Sequence, residues 1–363
     1  MKTKVLHVLG GMGRGGAPIF IINNFLKMDK NKVQFDFLVR KDNCAFNEVL
    51  AKYNSKIYVV PEFPRNLFKN YSITKAIFKK YGSEYDVIHV HANALYYTLP
   101  FFFAKKYGIK KIILHSHNTQ SNVGFLQPLH YLNRLFVSKL SNIFLACGQE
   151  AGKWMFGNKH FEVINNAVDV NKYSFKESFK TDIRNELGVK DDTTIIGSIG
   201  RFEEAKNHIF IIDIFNEYLR INHNSILVLL GDGSLRNNIQ KKVIHLGLQN
   251  KVKFMGIRSD VEKFYSAMDI FLMPSLFEGL PFVMIEAQCA GLKCLVSENI
   301  TSESIITDIV SMEKLDHSAI VWSEQLEKLR HKQVNRTSYS HIVSNMKYDI
   351  IYTSKRLFEI YTY

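Results

Sequence analysis

The chain has 363 residues, 46% of them hydrophobic and 13% aromatic, which makes it a globular polypeptide long enough for two domains. Four cysteines without a C-x-x-C pair, an amino terminus that runs straight into a strand, and a longest apolar stretch of about ten residues from Leu95 to Ala104 argue against a disulfide framework, a secretory leader and a bilayer span, which takes ~20 residues. Residues 1–170 carry 23 Lys and Arg against 10 Asp and Glu, and residues 171–363 carry 24 against 24, so the net charge of +13 lies in the first half and points there to an anionic partner, a membrane surface or a nucleic acid.

Thr3–Leu9 reads as a short apolar strand, followed by Gly10-Gly11-Met12-Gly13-Arg14-Gly15-Gly16 and a helix over Ala17–Met28. Gly11, Gly13 and Gly16 satisfy G-x-G-x-x-G, the fingerprint of a dinucleotide-binding unit. Such a unit needs an acidic residue at the end of its second strand. Here Val33–Val39 has Asp36 in its middle and Arg40-Lys41 after it, which argues against NAD. The loop is expected to bring backbone N–H groups near a phosphate or a sugar.

Strands and helices then alternate: strand Lys56–Val60, helix Tyr71–Tyr81, strand Asp86–Val90, helix Ala94–Tyr107, strand Lys111–His115, helix Phe125–Leu140, strand Asn142–Cys147, helix Gln149–Phe156 and strand Phe161–Ile164. This is the pattern of a parallel sheet covered on both faces, and ligands in such folds collect at the carboxyl ends of the strands. His89 and His91 close one strand; His115, Ser116, His117 and Asn118 close the next. No carboxylate or cysteine cluster accompanies these histidines, so a metal site is not expected. The polar run Asn171–Lys180 is the best linker.

The alternation restarts with strand Thr193–Ile199, which ends in Gly200-Arg201-Phe202-Glu203-Glu204-Ala205-Lys206-Asn207 and leads into a helix over Asn207–Arg220. Arg201 offers a bidentate fork and Lys206 a point charge, a suitable clamp for a diphosphate. Strand Ser225–Leu230 ends in Gly231-Asp232-Gly233-Ser234, and strand Lys251–Met255 ends in Gly256-Ile257-Arg258. Strand Asp269–Met273 then delivers Pro274-Ser275-Leu276-Phe277-Glu278-Gly279-Leu280-Pro281 and a helix that ends at Gly291, and strand Lys293–Val296 follows. Pro281 is well placed as the first helical residue. Glu278 therefore lies in the loop entering the helix and Glu286 inside it. The free N–H groups of a helix start lie between them, a natural seat for a phosphate.

This stretch resembles the Glu-x7-Glu signature of the retaining nucleotide-sugar glycosyltransferases of the GT-B fold, glycosyltransferase family four, through Pro274-Ser275, Glu278-Gly279, Pro281, Glu286-Ala287 and Gly291. The resemblance covers nearly the whole chain, with five motifs in family order. It implies an α/β protein of two Rossmann-like, doubly wound domains facing across a cleft. Residues 1–170, with a terminal helix at about 348–363, would bind the acceptor; residues 171–347 would bind the donor. By the same resemblance Glu278, His117, Arg201 and Lys206 carry the chemistry. Gly15, Gly16, Gly231, Gly233, Gly256, Arg258, Gly279, Leu280 and Glu286 hold the donor.

The implied reaction moves a sugar, with retention, from a nucleotide-diphosphate-sugar (UDP-sugar favoured) to a hydroxyl of a glycan or lipid-linked saccharide. Thr301–Trp322 is similar to a subgroup of bacterial exopolysaccharide and capsule synthesis. No cofactor is implied. The chain has no D-x-D triplet, so Arg201, Lys206 and the helix start before Phe282 would stabilise the leaving diphosphate without a metal. The expected location is cytoplasmic, peripheral to the inner face of the membrane through the basic residues 1–170. Two other classes compete: a sugar-nucleotide epimerase of the same fold, which needs its own acid/base carboxylates, and a nucleic-acid binder. The latter lacks any helix-turn-helix, zinc or RNA-recognition signature, so no nucleic acid is expected.

Overall fold

A computed structural model describes residues 2–119 and 124–363. The chain divides into two compact units, Met1–Ala167 with Ile350–Tyr363, and Val168–Asp349. Unit 1 is built on a parallel sheet of strands β1 (Thr3–Leu9), β2 (Val33–Val39), β3 (Ile57–Val59), β4 (Val87–Ala92), β5 (Lys111–Ser116), β6 (Ile143–Ala146) and β7 (Glu162–Val163), in the order β3-β2-β1-β4-β5-β6-β7. Unit 2 has β8 (Thr194–Ile199), β9 (Ser225–Leu230), β10 (Val252–Gly256), β11 (Ile270–Met273), β12 (Lys293–Ser297) and β13 (Val310–Glu313), in the order β10-β9-β8-β11-β12-β13, also parallel. Both sheets are α/β of the Rossmann type. The central strands read as apolar runs because helices cover both faces: every residue of Ser225–Leu230 is buried.

Strand order reverses direction between β1 and β4 in the first sheet and between β8 and β11 in the second. At such switch points the loops leave the sheet on opposite faces and open a crevice at the strands' carboxyl ends. The glycine run after β1 and the histidines ending β4 border the first switch point. The Gly200–Asn207 loop after β8 and the Pro274–Pro281 loop after β11 border the second.

Four expectations change. The helix read over Ala94–Tyr107 begins only at Leu99, with Thr98 in the cap position and Pro100 in the first turn, where a missing N–H is harmless. The helix read over Phe125–Leu140 breaks at Phe136 (φ −105°, ψ 12°) into Gln127–Leu135 and Val137–Leu140. Asn171–Lys180 is no free linker. The Asp169 side chain caps helix Val170–Tyr173 by accepting from the Lys172 N–H, and helix Glu177–Leu187 follows. Pro281 sits in the cap position, one residue before helix Phe282–Cys289, not inside its first turn.

The terminal helix Ile350–Thr362 belongs to unit 1. It is fixed there by Thr353 donating to Asn24 Oδ1 (3.0 Å), by a two-pronged Arg356–Glu162 pair (2.6 and 3.0 Å) and by Tyr361 Oη against His89 Nδ1 (2.8 Å).

Candidate functional site

At the second switch point the two loops are joined backbone to backbone. Leu276 N–H donates to Ala205 O (2.8 Å), and a second bond runs from the Asn207 side-chain Nδ2 to Pro274 O (3.2 Å). Asn207 is left-handed (φ 54°) and turns the chain from a 3-10 segment, Glu204–Lys206, into helix His208–Ile221. This turn delivers Lys206 to Glu278: Nζ lies 2.6 Å from Oε1, and both side chains are largely buried. Lys206 and Glu278, six dozen residues apart in the chain, thus form one ion pair. Arg201, one residue past Gly200 in the same loop, is exposed and has no ion pair among the described residues. The second loop is held from below by Ser297 Oγ donating to Ser275 O (2.5 Å) and the Asn299 amide to Leu276 O (3.0 Å). One loop thus carries an exposed cation without a counter-ion among the described residues and a second cation paired with a carboxylate, a charge pattern that suits a dianionic ligand.

Glu286, one turn into helix Phe282–Cys289, accepts from Tyr265 Oη (2.8 Å). Burial raises its pKa, while hydrogen bonds from Tyr265 and Tyr173 oppose that rise. Gly279 and Leu280 lie in the loop between the two glutamates, Leu280 buried.

The glycine loops behave differently from one another. A Cβ at Gly231 (φ 133°) would stand 1.9 Å from Gly200 O, and one at Gly233 would stand 2.6 Å from Phe202 O. Both glycines let the β9 exit loop press on the Arg201 loop, which accounts for them without any ligand. A Cβ at Gly16 would meet nothing within 4 Å and one at Gly15 only Pro18 at 3.9 Å, so the fold does not demand glycine there. Gly256 ends β10 in a left-handed turn (φ 65°). Arg258 uses four of its five N–H groups: Asp260 takes Nε (2.8 Å) and Nη2, Glu186 takes Nη1 (2.8 Å) and Nη2. Its guanidinium ties the β10 exit to helix Glu177–Leu187 and has little capacity left for a ligand.

In unit 1, strand periodicity sets His7, His89, His91, His115 and His117 on one face, with His7 beside His89 and His91 beside His115 in register. Two hydrogen-bonded files result. His7 Nδ1 meets His91 Nε2 (3.0 Å) and His91 Nδ1 meets His117 Nε2 (2.8 Å). Tyr361 Oη meets His89 Nδ1 (2.8 Å), and His89 Nε2 meets His115 Nδ1 (3.2 Å). Phe20 packs edge-on against His115 and His117.

Burial lowers the His7 and His117 pKa values to about 3 and holds His89, His91 and His115 well below the ordinary range, with mutual repulsion adding to the last three. Two triplets, His7/His89/His91 and His91/His115/His117, bring nitrogens within 4.8 Å of one another, with no thiolate or carboxylate in either group. Within each file these nitrogens are taken up by one another. The rings therefore form an array of neutral, mutually bonded imidazoles. His7, Tyr173, Tyr265 and Tyr361 carry no motif in the sequence; only the register of β1 against β4 and tertiary packing bring them in.

Residues 179–339 match the family model described as glycosyl transferases group 1. The chain is 32% identical over 345 residues to the putative glycosyltransferase EpsF of Bacillus subtilis, covering 90% of this chain and 88% of that one. It is 26% identical to the UDP-Gal:alpha-D-GlcNAc-diphosphoundecaprenol alpha-1,3-galactosyltransferase of Escherichia coli, over 82% of this chain and 79% of that one. Among solved structures, Anabaena HepE in complex with UDP superposes with a TM-score of 0.78 over 99% of both chains at 18% identity. That likeness shows a shared fold, the GT-B fold.

Proposed function

The chain belongs to the glycosyltransferases of group 1, and from that premise we propose that it transfers a hexose from a UDP-sugar, with retention, to a hydroxyl of a lipid-linked saccharide in bacterial polysaccharide assembly. The observation that carries this reading is the Lys206–Glu278 pair at the second switch point, with Arg201 in the same loop and in no ion pair among the described residues. Arg201 and Lys206 take the diphosphate, helped by the N–H groups at the start of helix Phe282–Cys289. Glu278 faces the sugar as positive charge develops at its anomeric carbon. Glu286, held by Tyr265, accepts from the ribose hydroxyls. His117 donates a hydrogen bond to the donor. The acceptor oxygen bonds to the anomeric carbon on the face from which the phosphate oxygen departs, and its proton passes to that oxygen. The products are the extended glycan and UDP.

The relatives support the substrate class. EpsF, an O-antigen enzyme of Escherichia coli and the capsular enzyme CapH of Staphylococcus aureus are among them, and the galactosyltransferase acts on a diphosphoundecaprenol-linked sugar. A membrane-borne acceptor also suits unit 1, which has 25 Lys and Arg against 10 Asp and Glu, while unit 2 has 22 against 24. No helix among the described residues is long and apolar enough to cross a membrane.

The reading is tested by incubating the full chain with UDP-glucose, UDP-galactose and their N-acetyl forms, with and without a diphospholipid-linked saccharide, and following UDP release and product mass. Acceptor-dependent UDP release from one donor is expected. Turnover without acceptor that yields free sugar or an epimerised nucleotide would overturn it.

A further inference from the structure

The file His7–His91–His117 has a direction. A neutral imidazole carries one N–H and one lone pair. His91 uses both nitrogens, Nε2 toward His7 and Nδ1 toward His117, so it donates at one and accepts at the other. All the protons of the file must then point the same way, inward or outward. Pointing inward, the file would leave an N–H on His7 Nε2, which is buried without a partner against Phe35 and Phe37. Pointing outward, it leaves only a lone pair there, and the free N–H appears on His117 Nδ1, past the carboxyl end of β5 where the side chain is partly exposed. Orphaned buried N–H groups are rarer than under-used acceptors, and bonds in a chain reinforce one another.

We propose that His91, backed by His7, is a positioning residue that locks His117 in the Nδ1–H tautomer and makes it a hydrogen-bond donor to an oxygen of the bound donor. The proposal rests on the reading of His117 given above. Burial keeps the three rings neutral, with His117 held at about 3. The second file cannot do this: His115 stacks on His117 at 4.2 Å but ends in an unpartnered Nε2. One consequence is chemical. With its outward nitrogen protonated, His117 cannot serve as a general base toward the acceptor hydroxyl, which leaves the departing phosphate oxygen to take that proton.

The test is a long-range nitrogen–proton correlation spectrum of the full chain labelled with 15N-histidine, with His117 assigned by its loss in His117→Gln. The Nδ1–H form is expected for His7, His91 and His117. An Nε2–H form, or an even mixture, at His117 overturns the lock, and the wild-type spectrum decides this even where a variant fails to fold. His91→Leu should turn His117 into a mixture of tautomers and lower kcat/KM for UDP-hexose about tenfold. His91→Asn, whose amide can replace Nδ1 as donor, should restore most of both. If His117 stays Nδ1–H in His91→Leu, His91 is not the lock. If the tautomers shift as expected while kcat/KM does not move, the lock stands and the contact between His117 and the donor falls.

Discussion

Glu278 and Glu286 stand eight residues apart and meet opposite partners: a lysine at 2.6 Å for the first, a tyrosine hydroxyl at 2.8 Å for the second. Their variants should therefore differ in kind. Glu278→Gln leaves Lys206 without its counter-ion in the free protein and removes the charge proposed to face the sugar. It should lower kcat by about 10²–10³ with little change in donor KM. Glu286→Gln should raise donor KM by about tenfold and spare kcat, because the proposed ribose contact would be made equally in ground and transition states. Steady-state kinetics on both variants checks this, and equal, near-wild-type values in both would remove the assignment. The places of Glu278, Lys206, Arg201 and His117 past strand ends were legible because the sequence pattern already located those strands. Tyr173, Tyr265 and His7 were not, because a partner supplied by packing leaves no local spacing to read. The partners of Arg258, Asp260 and Glu186, were not legible for the same reason.

At the scale of elements, strands buried on both faces announce themselves as apolar runs, and all but β13 were legible in the sequence. Val310-Ser311-Met312-Glu313 is too short and too polar to stand out, and it becomes a strand because β12 offers it an edge. The β9 exit loop should be sensitive to a single methyl group. Gly231→Ala puts a Cβ 1.9 Å from Gly200 O at φ 133° and should cost about 3 kcal/mol or more in urea unfolding, where Gly16→Ala, with open space at the first residue of a helix, should be neutral or stabilise by up to about 1 kcal/mol.

The histidine-bearing strands make a second prediction. His7 and His117 titrate at about 3 in the folded chain against 6.5 unfolded, so the unfolded state binds more protons throughout that window. Stability is then full above pH 6.5 and is lost as pH falls toward 3, by up to ~1.4 kcal/mol per pH unit for each such ring. Thermal melts should drop markedly from pH 7.5 to pH 5.5. A Tm that stays flat over that interval would mean the rings are hydrated and titrate normally.

For the whole molecule, the basic excess belongs to unit 1, and it coexists with exposed apolar side chains there, among them Phe68 at 88% and Leu135 at 73% exposed. Cations near an anionic leaflet contribute about 1 kcal/mol each. The chain should therefore sediment with anionic but not neutral vesicles and dissociate at high salt. Charge reversal at Lys75, Lys79, Lys105 and Lys106 should weaken this, while reversal at Lys241, Lys242, Lys251 and Lys253 should not; equal effects from the two sets would detach the acceptor from the membrane.

The central claim is that unit 2 binds a nucleoside diphosphate at its switch point with side-chain cations in place of a metal. Calorimetric titration of UDP into the full chain in excess EDTA tests it most directly, with Arg201→Ala run in parallel. Saturable one-to-one binding that survives EDTA and weakens by about 2–3 kcal/mol in Arg201→Ala is the expected result. Binding that appears only when Mg²⁺ or Mn²⁺ is restored, or that ignores the loss of Arg201, would contradict it.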